Sequence, residues 1–172
     1  MDTESLITQM EATAEAIRAL TAGISDKAAT WSPDPDGWSL LDVINHLTYE
    51  EADDFRARLD LVLHSPEEAL PPGDPARGAT DESRRRGLAL ACDGFLEARQ
   101  KSLSWLRALQ APDWDQAVET PFGRLRAGDI LASWAAHDLL HLRQLIELRY
   151  HYLAQAVEPY SVGYAGEWRQ EP

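Results

Sequence analysis

The fold is decided by residues 127–154, which read AGDILASWAAHDLLHLRQLIELRYHYLA. Apolar side chains recur in this stretch every three or four residues, the spacing that places them along one face of an α-helix. The apolar positions are Ile130, Leu131, Trp134, Leu142, Leu145, Leu148 and Tyr152. The stretch therefore predicts a long amphipathic helix that must bury one face against other elements.

Three further segments outward from this helix carry the same periodicity. The first lies near the N-terminus, where Asp2 or Thr3 is suited to cap a helix and Gly23 to end it. The second begins at Ser39 and runs to about His64. The third is predicted over residues 81–110. Four amphipathic helices predict an all-α protein, a four-helix bundle in which four apolar faces share one core.

Segments rich in proline and glycine separate the helices. Residues 30–38 and 111–126 are predicted loops, and residues 65–80 form the one long connection, between the second and third helices. The tail, residues 155–172, has no helical period, and its three aromatic residues predict that it docks on the bundle. We expect one domain over residues 1–172.

The composition excludes several classes of protein. The chain has 172 residues with 16 Lys and Arg against 29 Asp and Glu, a formal net charge of −13. Nucleic-acid binding is not expected, because contact with phosphates needs a basic surface. The single cysteine, Cys92, excludes an internal disulfide and is predicted to be a small core residue. The sequence contains neither a signal peptide nor a membrane-spanning run, which predicts a cytoplasmic protein without membrane contact.

Two histidines of the fourth helix are placed to act together. His137 and His141 are four residues apart and so lie one above the other on one helix face, at the border of the apolar stripe. This is the spacing by which one helix offers two imidazoles to one metal ion. The same spacing is equally consistent with two half-exposed histidines that bind no ligand. Asp138 points away from the pair and is expected at the surface or behind a ligand.

A third histidine lies on the second helix. His46 falls outside the apolar stripe, on a polar face that it shares with four acidic residues. One of these, Glu50, follows His46 by one helical turn and is the candidate general base, or the carboxylate that orients an imidazole. The alternative is a solvated acid on an acidic face. His64 and His151 lie near helix ends, where a capping role is expected.

Two motifs resemble those of the DinB-like superfamily, also called the YfiT-like metalloenzymes. Residues 37–47, GWSLLDVINHL, resemble the W-S-x-x-(D/E)-x-x-x-H-(L/I) opening of that family's second helix. Residues 134–145, WAAHDLLHLRQL, resemble its H-D-x-x-H-x-x-Q-(I/L) element, and Pro121-Phe122-Gly123 fits the loop before it. Arg126 departs from the family pattern, since Thr or Ser often caps the fourth helix at that position.

The resemblance implies a fold, a metal site and a chemistry. The fold is a four-helix bundle with up-down-down-up topology. The metal site is one divalent ion, Zn, Ni, Fe or Mn, held by His46, His137 and His141. Characterised relatives include mycothiol-dependent maleylpyruvate isomerase and bacillithiol transferases, which implies a low-molecular-weight thiol cofactor, a small-molecule substrate and a role in detoxification or stress response. A metal-binding or ligand-binding bundle without turnover is the alternative. Relatives often pair as homodimers.

Overall fold

The computed structural model describes residues 2–74, 78, 80–121, 123–166 and 168. Its elements, in chain order, are α1 (Thr3–Thr21), α2 (Asp26–Ala29), α3 (Leu40–Tyr49), a π-helical turn (Glu50–Asp54), α4 (Phe55–His64), α5 (Asp81–Arg84), α6 (Leu88–Ala108), β1 (Ala117–Thr120), β2 (Gly123–Arg126), α7 (Ala127–Ala156) and a 3-10 turn (Gly163–Ala165). The four long helical units are α1, α3 with α4, α6, and α7. They confirm the predicted bundle.

The first two helical units begin where the sequence predicts. The Asp2 side chain accepts a hydrogen bond from the Ser5 amide at the start of α1, and Gly23 ends that helix with a φ of 71°. Ser39, where the second helix is predicted to begin, forms a capping box with Asp42 at the start of α3. The second unit reaches His64 as expected, but the π-helical turn between α3 and α4 is not predicted.

The third helix is shorter than predicted. Residues 81–84 form the separate short helix α5, and α6 begins only at Leu88, after Gly87 with a φ of 77°. A positive φ is incompatible with a continuing right-handed helix, so the expected continuous helix over residues 81–110 is wrong at its start.

The segment before α7 is a hairpin instead of the predicted loop. Strands β1 and β2 pair antiparallel, with Val118 opposite Leu125. Phe122, which belongs to one of the quoted motifs, lies outside the described residues. At the α7 start, the Asp129 carboxylate accepts hydrogen bonds from both the backbone and the guanidinium of Arg126. This arrangement replaces the hydroxyl cap that is common in the family.

The core lies between the four units in two clusters. One cluster surrounds Phe95 and Leu145, and the other surrounds Met10 and Trp134. Cys92 is buried as predicted, with its Sγ 3.3 Å from Thr21 Oγ1. None of the described helices is both long and apolar enough to cross a membrane.

The tail docks less than the sequence predicts. Trp168 packs on Tyr150, with ring centroids 5.3 Å apart. Tyr160 and Tyr164, also expected to dock, are exposed. Of the three tail aromatics, Trp168 alone is therefore seen to contact the bundle in the described part of the chain.

Candidate metal centre

Three histidines from two helices converge between α3 and α7. His137 Nε2 lies 3.3 Å from His46 Nε2 and 3.0 Å from His141 Nε2. One nitrogen from each ring lies within 4.8 Å of the other two. The structure thus brings together the three histidines that the sequence selected, although they are up to ninety-five residues apart in the chain.

His46 is more deeply buried than its helical face predicted. The face that carries it is polar in sequence, yet His46 is only 3% exposed. The Trp38 ring lies against it at 4.7 Å between centroids, and the two α7 histidines cover its other side. The polar face is therefore an interior surface of the bundle at this level, not a solvated one.

Hydrogen bonds and burial prepare the imidazoles to donate lone pairs. His141 Nδ1 lies 2.8 Å from Gln144 Oε1, an acceptor that holds the proton on Nδ1 and leaves Nε2 free to face the cluster. Burial lowers the pKa of His137 to about 3, and the adjacent His141 and His46 rings and the Arg99 charge act in the same direction. Burial also lowers the pKa of His141, against the opposing effect of Gln144. These rings are neutral at physiological pH, the form that binds metal ions.

The spacing of the three nitrogens fits a common metal ligand set. Histidine nitrogens bind Zn²⁺ at about 2.0–2.1 Å, so two ligands of one tetrahedral ion are about 3.3 Å apart. The observed separations of 3.3 and 3.0 Å are close to that value. The buried Nδ1 of His137 has no hydrogen-bond partner among the described residues. Three neutral imidazoles would leave further coordination positions open, as in catalytic sites.

Glu50 lies beside the cluster, and its carboxylate is not the solvated acid of the alternative interpretation. Its Oε1 is 3.6 Å from His46 Nδ1, and the residue is 8% exposed. Burial raises the pKa of Glu50 to about 7, and the negative charge of Asp54 adds to the rise while Arg58 opposes it. A carboxyl group with this pKa can gain and lose a proton near neutral pH.

Aromatic rings wall the cluster on two sides. Trp38 stacks near His141, with centroids 6.3 Å apart, and Phe55 lies 5.1 Å from His137. Neither Trp38 nor Phe55 is expected at the site from the sequence, although Trp38 stands in the quoted motif. Their rings flank the histidine cluster.

Asp138 is buried, which corrects the expectation of a surface position. It makes a bidentate ion pair with Arg99, at 2.6 and 2.7 Å, and Arg99 also donates to Glu51 at 2.8 Å. Arg99 and Glu51 are not expected at the site from the sequence. The available signal was the position of Arg99 one helical turn after Phe95, on the buried face of α6.

The other two histidines lie apart from the cluster. His64 Nδ1 is 3.0 Å from Asp60 at the exposed end of α4, and His151 Nε2 is 3.9 Å from Glu147 near the end of α7. Both positions are consistent with the roles expected near helix ends.

Comparisons with known proteins agree with this architecture. The sequence model of a family described as the DinB superfamily matches residues 9–145. Among solved structures, YfiT from Bacillus subtilis, described as a probable metal-dependent hydrolase with an unusual four-helix bundle topology, superposes with a TM-score of 0.75 over 87% of each chain at 17% identity. At that identity the likeness establishes a shared fold. No curated protein matches the chain.

Proposed function

The chain belongs to the DinB superfamily, and from this premise we propose that it is a divalent-metal-dependent enzyme whose ligands are His46, His137 and His141. The observation that carries the proposal is the convergence of the three imidazoles, with His137 Nε2 at 3.3 Å from His46 Nε2 and 3.0 Å from His141 Nε2, separations that suit ligands of one ion. Imidazole ligands alone do not select among Zn, Ni, Fe and Mn. The metal is therefore assigned by class, as a divalent first-row ion.

The residues around the cluster have separable tasks in this proposal. A bound ion would supply Lewis acidity, which lowers the pKa of a thiol or water beside it. Glu50 is placed to accept the proton that such a nucleophile loses, and its pKa of about 7 suits that role. Its distance of 3.6 Å from His46 Nδ1 also suits it to orient that ring. Trp38 and Phe55 would limit the access of bulk water.

The reaction we propose first is the addition of a low-molecular-weight thiol to an electrophilic small molecule, as an S-transferase or isomerase in detoxification or stress response. The thiol proton would pass to Glu50 as the sulfur bonds to the electrophilic carbon. In an addition, the π bond at that carbon would break and its electron pair would take the proton back from Glu50; in a substitution, the leaving group would depart with the electrons of its bond. The apolar walls made by Trp38 and Phe55 favour a small substrate with an unsaturated or aromatic part.

Hydrolysis is the second candidate, because Glu50 would serve equally as the base for a water nucleophile. The description of YfiT as a probable metal-dependent hydrolase is consistent with it. A bundle that binds metal or a small ligand without turnover is the alternative to both reactions.

Metal content tests the proposed centre directly. Protein prepared without a histidine tag is analysed for metal identity and stoichiometry, beside the variants His46→Ala and His137→Ala. The matched controls are His64→Ala, on the same helical unit as His46, and His151→Ala, on the same helix as His137. We expect near one ion per chain in the wild type and in both controls, and a large loss in the two site variants. Equal metal content in all five proteins would refute the site.

Turnover assays then separate the reactions. The metal-loaded protein is given an electrophilic bimane with mycothiol, bacillithiol or glutathione, and thiol loss is followed with Glu50→Gln as the comparison. Thiol loss that depends on both metal and Glu50 supports the transferase. Ester or amide cleavage without thiol supports the hydrolase. Absence of both activities in a metal-loaded protein would favour the binding bundle.

We also propose that the protein is a cytoplasmic homodimer built from one domain per chain. Support for the dimer comes from α7, where Leu139, Ile146 and Leu153 recur every seven residues and are exposed. Apolar residues at this spacing form one stripe, which a second copy of the helix would cover. Light scattering of the wild type and of Ile146→Glu tests this: a monomeric wild type would refute it.

A further inference from the structure

One buried arginine, on one helical unit of the bundle, forms hydrogen bonds with the other three units. Arg99, on α6, is 2% exposed. It donates to the Met10 carbonyl on α1, to the Glu51 carboxylate in the π-helical turn and to the Asp138 carboxylate on α7. Each of these bonds fixes one helix against another at the same level of the bundle.

The same group of side chains joins the two elements that carry the histidines. The Trp134 indole N–H donates to Glu51 Oε1 at 2.7 Å, across the interface between α7 and the π-helical turn. Trp134 lies one turn before His137, and Glu51 lies five residues after His46. Asp138 directly follows His137. A shift of either helix along its axis would have to break one of these bonds.

The π-helical turn directs two successive glutamates, Glu50 and Glu51, to different partners. Both are buried: Glu50 faces His46, and Glu51 faces Arg99. The Ser102 hydroxyl donates to the Glu51 carbonyl, which anchors the backbone of the turn to α6. A π-helical turn inside an α-helix often marks a functional position.

Stability alone does not account for so many buried charges. Burial of two carboxylates and a guanidinium has a desolvation cost that often equals the gain from their mutual attraction, and apolar residues of similar volume are often as stable. In some proteins a buried polar group instead specifies one register between the helices that it joins.

We propose that Glu51, Arg99 and Trp134 are positioning residues that set the separation of His46 from His137, and thereby the affinity and coordination geometry of the metal centre. The inference rests on the proposed metal site. It assigns a role to side chains that do not contact the metal position, acting through the helices that carry the ligands.

The test uses Trp134→Phe, which removes the indole N–H but keeps a ring against Phe55, where the two rings stack at 5.8 Å. The control is Trp105→Phe, at a partly buried tryptophan that packs on the same core cluster from α6. Zn²⁺ affinity is measured by competition with a chromophoric chelator, and Co²⁺ absorption spectra report the coordination geometry. We expect Trp134→Phe to weaken Zn²⁺ binding about tenfold or more and to change the Co²⁺ spectrum, while Trp105→Phe changes neither.

A second pair of variants separates positioning from folding. Glu51→Gln keeps an oxygen that can accept from Trp134 and Arg99, whereas Glu51→Leu does not. We expect Glu51→Gln to retain most of the affinity that Glu51→Leu loses. If Trp134→Phe lowers only the thermal stability and leaves the affinity and spectrum unchanged, the positioning role is refuted and the metal site stands. If the wild type binds no metal, the metal site itself is refuted, and the positioning role falls with it.

Discussion

Arg99→Met is the substitution whose cost the structure predicts most directly. It removes four hydrogen bonds, from the guanidinium to Met10, Glu51 and, twice, Asp138. It also leaves two carboxylates, each 1% exposed, without their counter-ion. Because removing one partner of a buried ion pair leaves the other charge buried and uncompensated, the free energy of unfolding is expected to fall by about 3–5 kcal/mol. Most domains have a free energy of unfolding of only about 5–15 kcal/mol.

Arg107→Met is the matched control. It is the same change on the same helix, but Arg107 is 41% exposed and pairs with Glu11 and Glu4 at the surface. An exposed pair contributes about 0–1 kcal/mol, so this variant is expected to unfold at nearly the wild-type denaturant concentration. Urea unfolding of the metal-free proteins, followed by circular dichroism, measures both changes without stabilisation by bound metal. Equal losses in Arg99→Met and Arg107→Met would refute the reasoning.

The sign of the pH dependence gives a second measure of the same substitution. Burial raises the pKa of Glu51 above its ordinary value, and the positive charge of Arg99 limits that rise. Without Arg99, the pKa of Glu51 in the folded protein rises further above its unfolded value. A group whose pKa is raised in the folded state contributes to the free energy of unfolding at low pH, and this contribution is lost as the pH rises. The difference between wild type and Arg99→Met should therefore be largest at neutral pH and should shrink on acidification. A difference that does not vary with pH would contradict this account.

Replacement of the whole buried group separates stability from function. Substituting Arg99, Glu51 and Asp138 together with apolar residues of similar volume is expected to restore much of the stability that Arg99→Met loses. The metal affinity of that triple variant should stay low, because no directional bonds then fix the register between the helices. Full recovery of both properties would show that tight packing alone positions the histidines.

The capping box, two glycines and the metal centre give three further sets of predictions. Burial raises the pKa of Asp42, but hydrogen bonds from Arg84 and Ser39 outweigh it and lower the pKa overall. The free energy of unfolding of the wild type should therefore fall as the pH drops below about 4. Asp42→Asn should lack this acid-dependent loss and should be less stable than the wild type by about 1–2 kcal/mol at pH 7. A Cβ at Gly78 would lie 2.5 Å from the Asn45 carbonyl oxygen, so Gly78→Ala should destabilise by about 1–3 kcal/mol, while Gly94→Ala should gain about 1 kcal/mol. Zn²⁺ at one hundred times its Kd should stabilise the wild type by about 2.7 kcal/mol, and His137→Ala not at all.

Each of these outcomes has a simple contrary. Melting temperatures measured across pH would contradict the capping argument if Asp42→Asn kept the acid-dependent loss. If Gly78→Ala and the wild type unfolded at the same urea concentration, the backbone at Gly78 would have moved to relieve the contact with the Asn45 carbonyl, and the expected clash would be refuted. Thermal shifts with Zn²⁺ that persist in His137→Ala would place the ion elsewhere.

The sequence predicts the bundle and its helix ends well where the signal is local. Ser39 and Asp42 are three residues apart, and their capping box depends on no other part of the chain. Gly23 ends α1 for an equally local reason, its positive φ. Gly87 lies inside the expected third helix, and a glycine inside a helical pattern does not by itself reveal that the chain will adopt a positive φ there. The break between α5 and α6 depends on how the two segments pack, as in the ion pair of Arg84 with Asp42 on α3.

At the candidate site, sequence patterns do not distinguish a buried polar face of a helix from a solvated one. Hydrophobic periodicity identifies a face that avoids water, but a buried polar face has the same periodicity as a solvated one. His46 and Glu50 lie on such a face, Glu51 follows Glu50, and all three are buried. Groups from other helices meet His46 and Glu51 there. For Glu51 the complement is Arg99 on α6, 48 residues later in the chain, and no local sequence pattern indicates the pairing. For His46 the complement is the pair His137 and His141, and the family resemblance joined the three as one ligand set.

The acidic charge of the chain acquires a structural meaning from this comparison. A net charge of −13 predicts a solvated acidic surface, yet Glu50, Glu51 and Asp138 are buried at the centre of the bundle. Buried carboxylates require a cation or a proton nearby. Arg99 provides the cation on one side of the π-helical turn. On the other side, Glu50 lies 3.6 Å from His46 Nδ1, and its raised pKa lets it hold a proton near neutral pH. A divalent ion held by the three histidines, as proposed above, would add positive charge on that side of the turn.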